Sequence, residues 1–210
     1  LKRAYSFTDS IIQENSYLND VRIDVDGQKA YMTDSGVGAI IILDLQSGSS
    51  YRHLEDHYSV KAEESSLMIN GKKWEGEIHS DGIALSPDGD DLYYAPLSGH
   101  TLYNVPTEQL NNPDITEFKL ESYVEKAEDI RATDGILFDE KGVLYLGGLE
   151  ENAIYAWKEN STYERLIQDE RIKWADTFTS DAEGRIYFTT SQIHLSSDER
   201  GAYKIYQLVD

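Results

Sequence analysis

Apolar residues along this chain fall in short runs that alternate with polar ones, and Asp, Asn, Gly and Pro clusters separate the runs. A period of two over so short a length predicts β-strands joined by tight turns. Residues 79–97, HSDGIALSPDGDDLYYAPL, show the unit: an Asp-Gly pair, an apolar run, a Pro-Asp-Gly turn and a second run ending in tyrosines. Glycine supplies the positive φ that such a turn needs, so the stretch predicts a β-hairpin.

The same phrase returns at 19–34, 133–148 and 175–190. Its lead aspartates are Asp20, Asp81, Asp134 and Asp176; its turn glycines are Gly27, Gly89, Gly142 and Gly184; its tyrosines are Tyr31, Tyr93, Tyr145 and Tyr187. Further runs follow each hairpin: AIIILDL and SYRHLE, HTLYNVP and ITEFKL, NAIYAWK and TYERLI. Four short antiparallel strands per repeat predict an all-β protein, a β-propeller with four blades at about 18–56, 80–121, 133–168 and 175–210. The last unit shows three strands and ends at YKIYQLV; residues 1–8 are expected as an outer strand, either of this unit, closing a four-bladed ring, or, the preferred reading, of an earlier blade. The whole of 1–210 reads as a single domain, and as a piece of a larger ring. Between blades, LMINGKKW carries Asn70-Gly71, a type I′ hairpin signal. TEQLNN and SYVEKAEDI each predict a short helical turn on a loop face.

Composition sharpens the picture in three ways. Fifteen Tyr against five Phe suits half-buried sheets, where the ring packs and the hydroxyl finds a partner. A formal net charge of -20 gives a surface that repels phosphate backbones and anionic headgroups, so neither nucleic acid nor a membrane surface is an expected partner. With no cysteine there is neither a disulfide framework nor thiolate chemistry. The chain opens on Leu1 without a charged-then-apolar leader, and the run AIIIL is far too short to span a bilayer.

In a propeller the inner strand of each blade lines a central channel, so residues at the strand starts converge at one mouth. Asn19, Asp20, Asp81, Asp134 and Asp176 are therefore expected in one polar throat, where a hard divalent cation such as Ca²⁺ would relieve carboxylate repulsion. The alternative is structural: each aspartate accepts backbone N–H bonds and pins its strand. His79, two residues before Asp81, is a candidate general base with that carboxylate. Trp174, Gln192 and His194 join Asn19, Asp20 and Asp176 as candidate ligand contacts. Trp157 is expected in the core between blades, and His53 and His57 in solvent. No Ser-His-Asp set, P-loop, zinc spacing or dinucleotide glycine cluster occurs.

The phrases LNDVRIDVDGQKAYMTDSG, SDGIALSPDGDDLYYAPLSGHTLYNVPTEQL and WADTFTSDAEGRIYFTTSQIHL resemble the bacterial branch of the yellow and major royal jelly proteins. That resemblance implies a six-bladed propeller of which these four units form the C-terminal part. It also implies a secreted or periplasmic location and a small-molecule ligand at the channel mouth. More distantly the phrases are similar to the gluconolactonase and senescence-marker-protein propellers, which hold a divalent cation at the ring centre. In that comparison Asp134 matches a ligand aspartate, Asn19 looks like a nearby asparagine, and Asp81 stands where the family has an asparagine. The second resemblance implies a metal-dependent lactonase or esterase with Asn19, Asp81 and Asp134 as ligands. The binder and the hydrolase differ in needing a tightly held cation. An incomplete ring would leave sheet faces exposed and prone to association.

Overall fold

The computed structural model describes residues 2–209. Among these, four antiparallel sheets follow one another along the chain, each meandering outwards from an inner strand. The first comprises β1 (Leu18–Asp24), β2 (Lys29–Asp34), β3 (Ala39–Asp44) and β4 (Ser50–His53). A separate hairpin, β5 (Ser66–Ile69) and β6 (Lys72–Glu75), turns at Asn70 and Gly71, whose φ of 52° and 74° are those of the expected type I′ turn. The second blade comprises β7 (Ser80–Leu85), β8 (Asp91–Pro96), β9 (Thr101–Pro106) and, after the short helices α1 (Thr107–Leu110) and α2 (Glu117–Glu121), β10 (Glu125–Asp129). The third holds β11 (Ile136–Phe138), β12 (Leu144–Gly148), β13 (Ala153–Trp157) and β14 (Glu164–Gln168). The fourth holds β15 (Ala175–Ser180), β16 (Ile186–Thr190) and β17 (Lys204–Gln207).

Consecutive inner strands stand beside one another, β1 by β7, β7 by β11 and β11 by β15, which is the blade arrangement of a propeller. The core lies between blades. Because successive side chains point to opposite faces, Tyr94 turns toward the first blade, with Tyr31, Ile40 and Ile42, while Tyr93 turns toward the third, with Ile136, Leu146 and Trp157. Trp157 thus lies in the core between blades, as expected. Ile154 and Ile172 meet Phe178 and Phe188 across the last interface.

Four expectations are corrected. ITEFKL is not an outer strand: Thr116 caps α2 by accepting from the Lys119 amide, and the outer strand is the charged EKAED segment, for which the sequence predicts a helical turn. Residues 2–7 form no strand; instead Arg3 and Tyr5 donate side-chain bonds to the Leu45 carbonyl in the turn after β3. Phe7, Ile11 and Ile12 continue that segment over Ile41 and Met32, on the outer face of the first blade. His53 is buried rather than solvated, because Glu117 in the first turn of α2 accepts from its Nδ1 at 2.5 Å and from the Leu54 amide at 2.9 Å.

Candidate functional site

The throat is built by the glycines after two lead aspartates. A Cβ on Gly82 would lie 2.2 Å from the carbonyl oxygen of Asp134, and one on Gly135 would lie 2.1 Å from that of Asp176. Only glycine lets adjacent inner strands come this close. The Gly135 amide donates to the Asp176 carbonyl at 2.7 Å, and the Thr33 hydroxyl donates to the Asp81 carbonyl at 2.7 Å. The backbones of the lead residues thus tie blade to blade, which leaves their carboxylates to face one another.

The two central carboxylates are short of donors. Asp81 is 2% exposed and receives the Asn19 amide. Burial, then the charges of Asp20 and Asp176, push its pKa up to about 7. Asp134 accepts from Trp174 Nε1 at 2.5 Å, and burial followed by the charges of Asp81 and Asp176 holds it well above the usual carboxylate range. Of the outer two, Asp20 is better supplied. Asp20 accepts from Arg22 at 2.9 Å and from the Val21 amide, and Asp176 accepts from the Thr177 hydroxyl. Arg22 also donates 2.7 Å to the Ile136 carbonyl, so it runs across the channel from the first blade to the third.

The β5–β6 hairpin covers this mouth. Leu67 and Ile69 pack on Leu97, Ala132, Leu149 and Trp174, and the Asn70 and Asn152 side chains exchange amide bonds of 2.6 and 3.2 Å. Trp174 is 1% exposed, stacked on His194 and met edge-on by Trp74, so it reaches the throat through its Nε1 rather than as an open wall. Its φ of 63° is a strained value for a bulky residue. Gln192, φ 57°, turns to its own loop, where it bonds the backbone of Gly201 and Ala202. His79 Nδ1 accepts from the Ala62 amide, which ties a loop and leaves that nitrogen unfree as a base. Burial and then Lys61 lower its pKa. His194 Nδ1 is buried without a hydrogen bond among the described residues, and burial followed by Lys173 lowers that pKa too.

The structure therefore brings Asn19, Asp20, Asp81, Asp134 and Asp176 together with Trp174, and leaves His79 and Gln192 in supporting bonds. Sequence reasoning missed Arg22, whose signal was a lone basic residue two places after a lead aspartate. Among the described residues, no three His, Cys, Asp or Glu side chains form a group that could hold a metal ion. Asn19 is engaged with Ser35 and Asp81, Asp134 with Trp174, and Asp20 with a guanidinium. This donor set does not fit a divalent cation as it stands.

The family model described as "Major royal jelly protein" matches residues 1–196. Major royal jelly protein 3 of Apis mellifera is 30% identical over 145 residues, 68% of this chain and 26% of the relative's length, so the chain spans about a quarter of that protein. Among solved structures, a nidogen/laminin complex aligns with TM-score 0.60 and 15% identity over 83% of this chain and 57% of that one. A gluconolactonase from Xanthomonas campestris aligns with TM-score 0.57 and 16% identity over 83% and 54%. At such identities the structural matches speak for the propeller fold alone.

Proposed function

Because the chain belongs to the major royal jelly protein family, we propose that it is a secreted or periplasmic binding propeller that takes a small cationic molecule at the channel mouth. One observation carries this reading: Asp81, buried, and Asp134, half-buried, share one throat, each with a single side-chain donor among the described residues, and burial first and then the other lead aspartates push each toward protonation. A ligand that brings positive charge or N–H donors would replace the missing partners and let both carboxylates ionise. The strained Trp174 backbone at the same place supports a site over a purely structural throat. Arg22 and the hairpin around Asn70 would bound the pocket on two sides.

A cation-assisted hydrolase, acting on a lactone or similar ester, is the second reading. The convergence of four carboxylates favours it, while their present partners leave no metal-holding group among the described residues. Thermal unfolding with CaCl₂ and with a panel of small ammonium compounds, at pH 6 and pH 8, separates the two. The binding reading expects an ammonium compound to raise Tm, an effect lost in Asp81→Asn. A rise with CaCl₂ alone, lost in Asp134→Asn, would replace it with the metal reading. No shift with any compound would reject both.

A further inference from the structure

Far from the throat, at the opposite ends of the strands, a cavity of about 400 Å³ opens between the second and third blades. Its floor is Tyr93, with the Phe138 ring edge-on at 5.0 Å and the Trp157 ring tilted at 5.9 Å. Its rim carries Asp88, Asp91, Glu140 and Glu159 against Lys141 and Lys158, an excess of two negative charges.

The repeat itself makes Tyr93 unusual. In the third and fourth blades the equivalent tyrosines donate to the aspartate that opens their own turn, Tyr145 to Asp139 and Tyr187 to Asp181. In the first blade the Tyr31 hydroxyl accepts from Asn111, which follows α1 and so fills the corresponding place. The second blade has Ser86 where the others have that aspartate, and the short serine spends its hydroxyl on Asp88. Tyr93 is 6% exposed, and its hydroxyl makes no hydrogen bond among the described residues. That hydroxyl opens into the cavity, where a ligand could meet it in place of water. Burial and then the charges of Glu159, Asp91 and Asp88 push the Tyr93 phenol up to about 12, which locates those carboxylates around it.

We propose that this cavity between the second and third blades is a second binding site, specific for an organic ammonium ion whose N–H groups meet the Tyr93 hydroxyl and whose apolar body lies against Phe138 and Trp157. Aromatic faces and an acidic rim attract a cation, and the volume falls within the range of small-molecule pockets. An anion would meet the rim carboxylates, and a neutral molecule would gain nothing from them.

Isothermal titration calorimetry with phenethylammonium chloride, and with 2-phenylethanol as its neutral counterpart, tests the site. The ammonium is expected to bind at least about tenfold more tightly than the alcohol. Tyr93→Phe should weaken it about five- to tenfold, the loss of one hydrogen bond. Its circular dichroism and Tm should stay at the wild-type values, because the hydroxyl bonds nothing in the fold. Glu140→Gln combined with Glu159→Gln, both exposed, should weaken binding again and flatten its salt dependence. Asp81→Asn should leave this site unchanged, which keeps it distinguishable from the throat. Equal affinity for the alcohol, no binding of the ammonium, or binding lost in Asp81→Asn but kept in Tyr93→Phe would each overturn the proposal.

Discussion

Replacing Asp81 by Asn offers a quantitative test of the throat. The folded chain holds this carboxyl at a pKa of about 7 against an ordinary 3.8, roughly three units, or about 4 kcal/mol of differential interaction. The sign follows from proton binding. Between pH 4 and 7 the folded state keeps a proton on Asp81 that the unfolded chain has lost. The stability this group contributes is therefore present in full below pH 4 and is lost as pH rises toward 7. Asparagine has nearly the same shape, can accept from the Asn19 amide through its carbonyl oxygen, and never ionises. The variant should match the wild type near pH 4 and then gain on it by up to about 1.4 kcal/mol per pH unit, approaching about 4 kcal/mol above pH 7. Relief of Asp134, which Asp81 pushes upward, adds in the same direction. Urea unfolding at half-unit steps from pH 4 to 8, with m-values checked for constancy, reads the difference directly. A stability gap that does not change with pH, or a variant less stable than the wild type at pH 8, would refute the account of a donor-poor buried carboxylate.

Other substitutions probe the remaining supports. Gly135→Ala puts a methyl group 2.1 Å from the Asp176 carbonyl oxygen, so the third and fourth inner strands must part; urea unfolding should show a loss of about 1–3 kcal/mol. Arg52→Ala removes the guanidinium from Asp34 in an ion pair whose side chains are 4% and 0% exposed, but leaves that carboxylate the Ser16 hydroxyl and three backbone amides, and should cost about 1–3 kcal/mol by the same measurement. Trp174→Phe keeps the ring stack on His194 but removes the donor to Asp134; urea unfolding should show a loss of about 1–3 kcal/mol.

The blades were legible because each is written by the same few residues: a turn glycine, at positive φ in the second to fourth blades while Gln28 takes that conformation in the first, an aspartate at the start of the inner strand, a tyrosine in the second strand. The outer strand of the second blade was not legible. EKAED has no apolar alternation, since an edge strand at the rim of a blade needs none, while ITEFKL alternates well enough to mimic a strand although Thr116 starts a helix there. Burial of His53 depended on Glu117, sixty-four residues away, and no local pattern encodes that pairing. In the throat, the convergence of the lead aspartates followed from the repeat, because repetition forces equivalent positions together. Their partners did not follow: Trp174 comes from the loop before its blade, and Arg22 reaches a carbonyl two blades on. The groove at Tyr93 was hidden for the opposite reason, since its signal is a departure from the repeat at Ser86.

Arg22 has a meaning for how such arrays can grow. Most bonds in the arc join a blade to its neighbour and would survive the duplication or deletion of a unit, because every neighbour presents the same edge. The Arg22 guanidinium instead reaches a main-chain oxygen two blades away, across the hollow. A blade added or removed between the first and the third would leave that tie dangling in a buried space. One side chain thus counts the units it spans, and sets a curvature that loop lengths alone would leave free to drift.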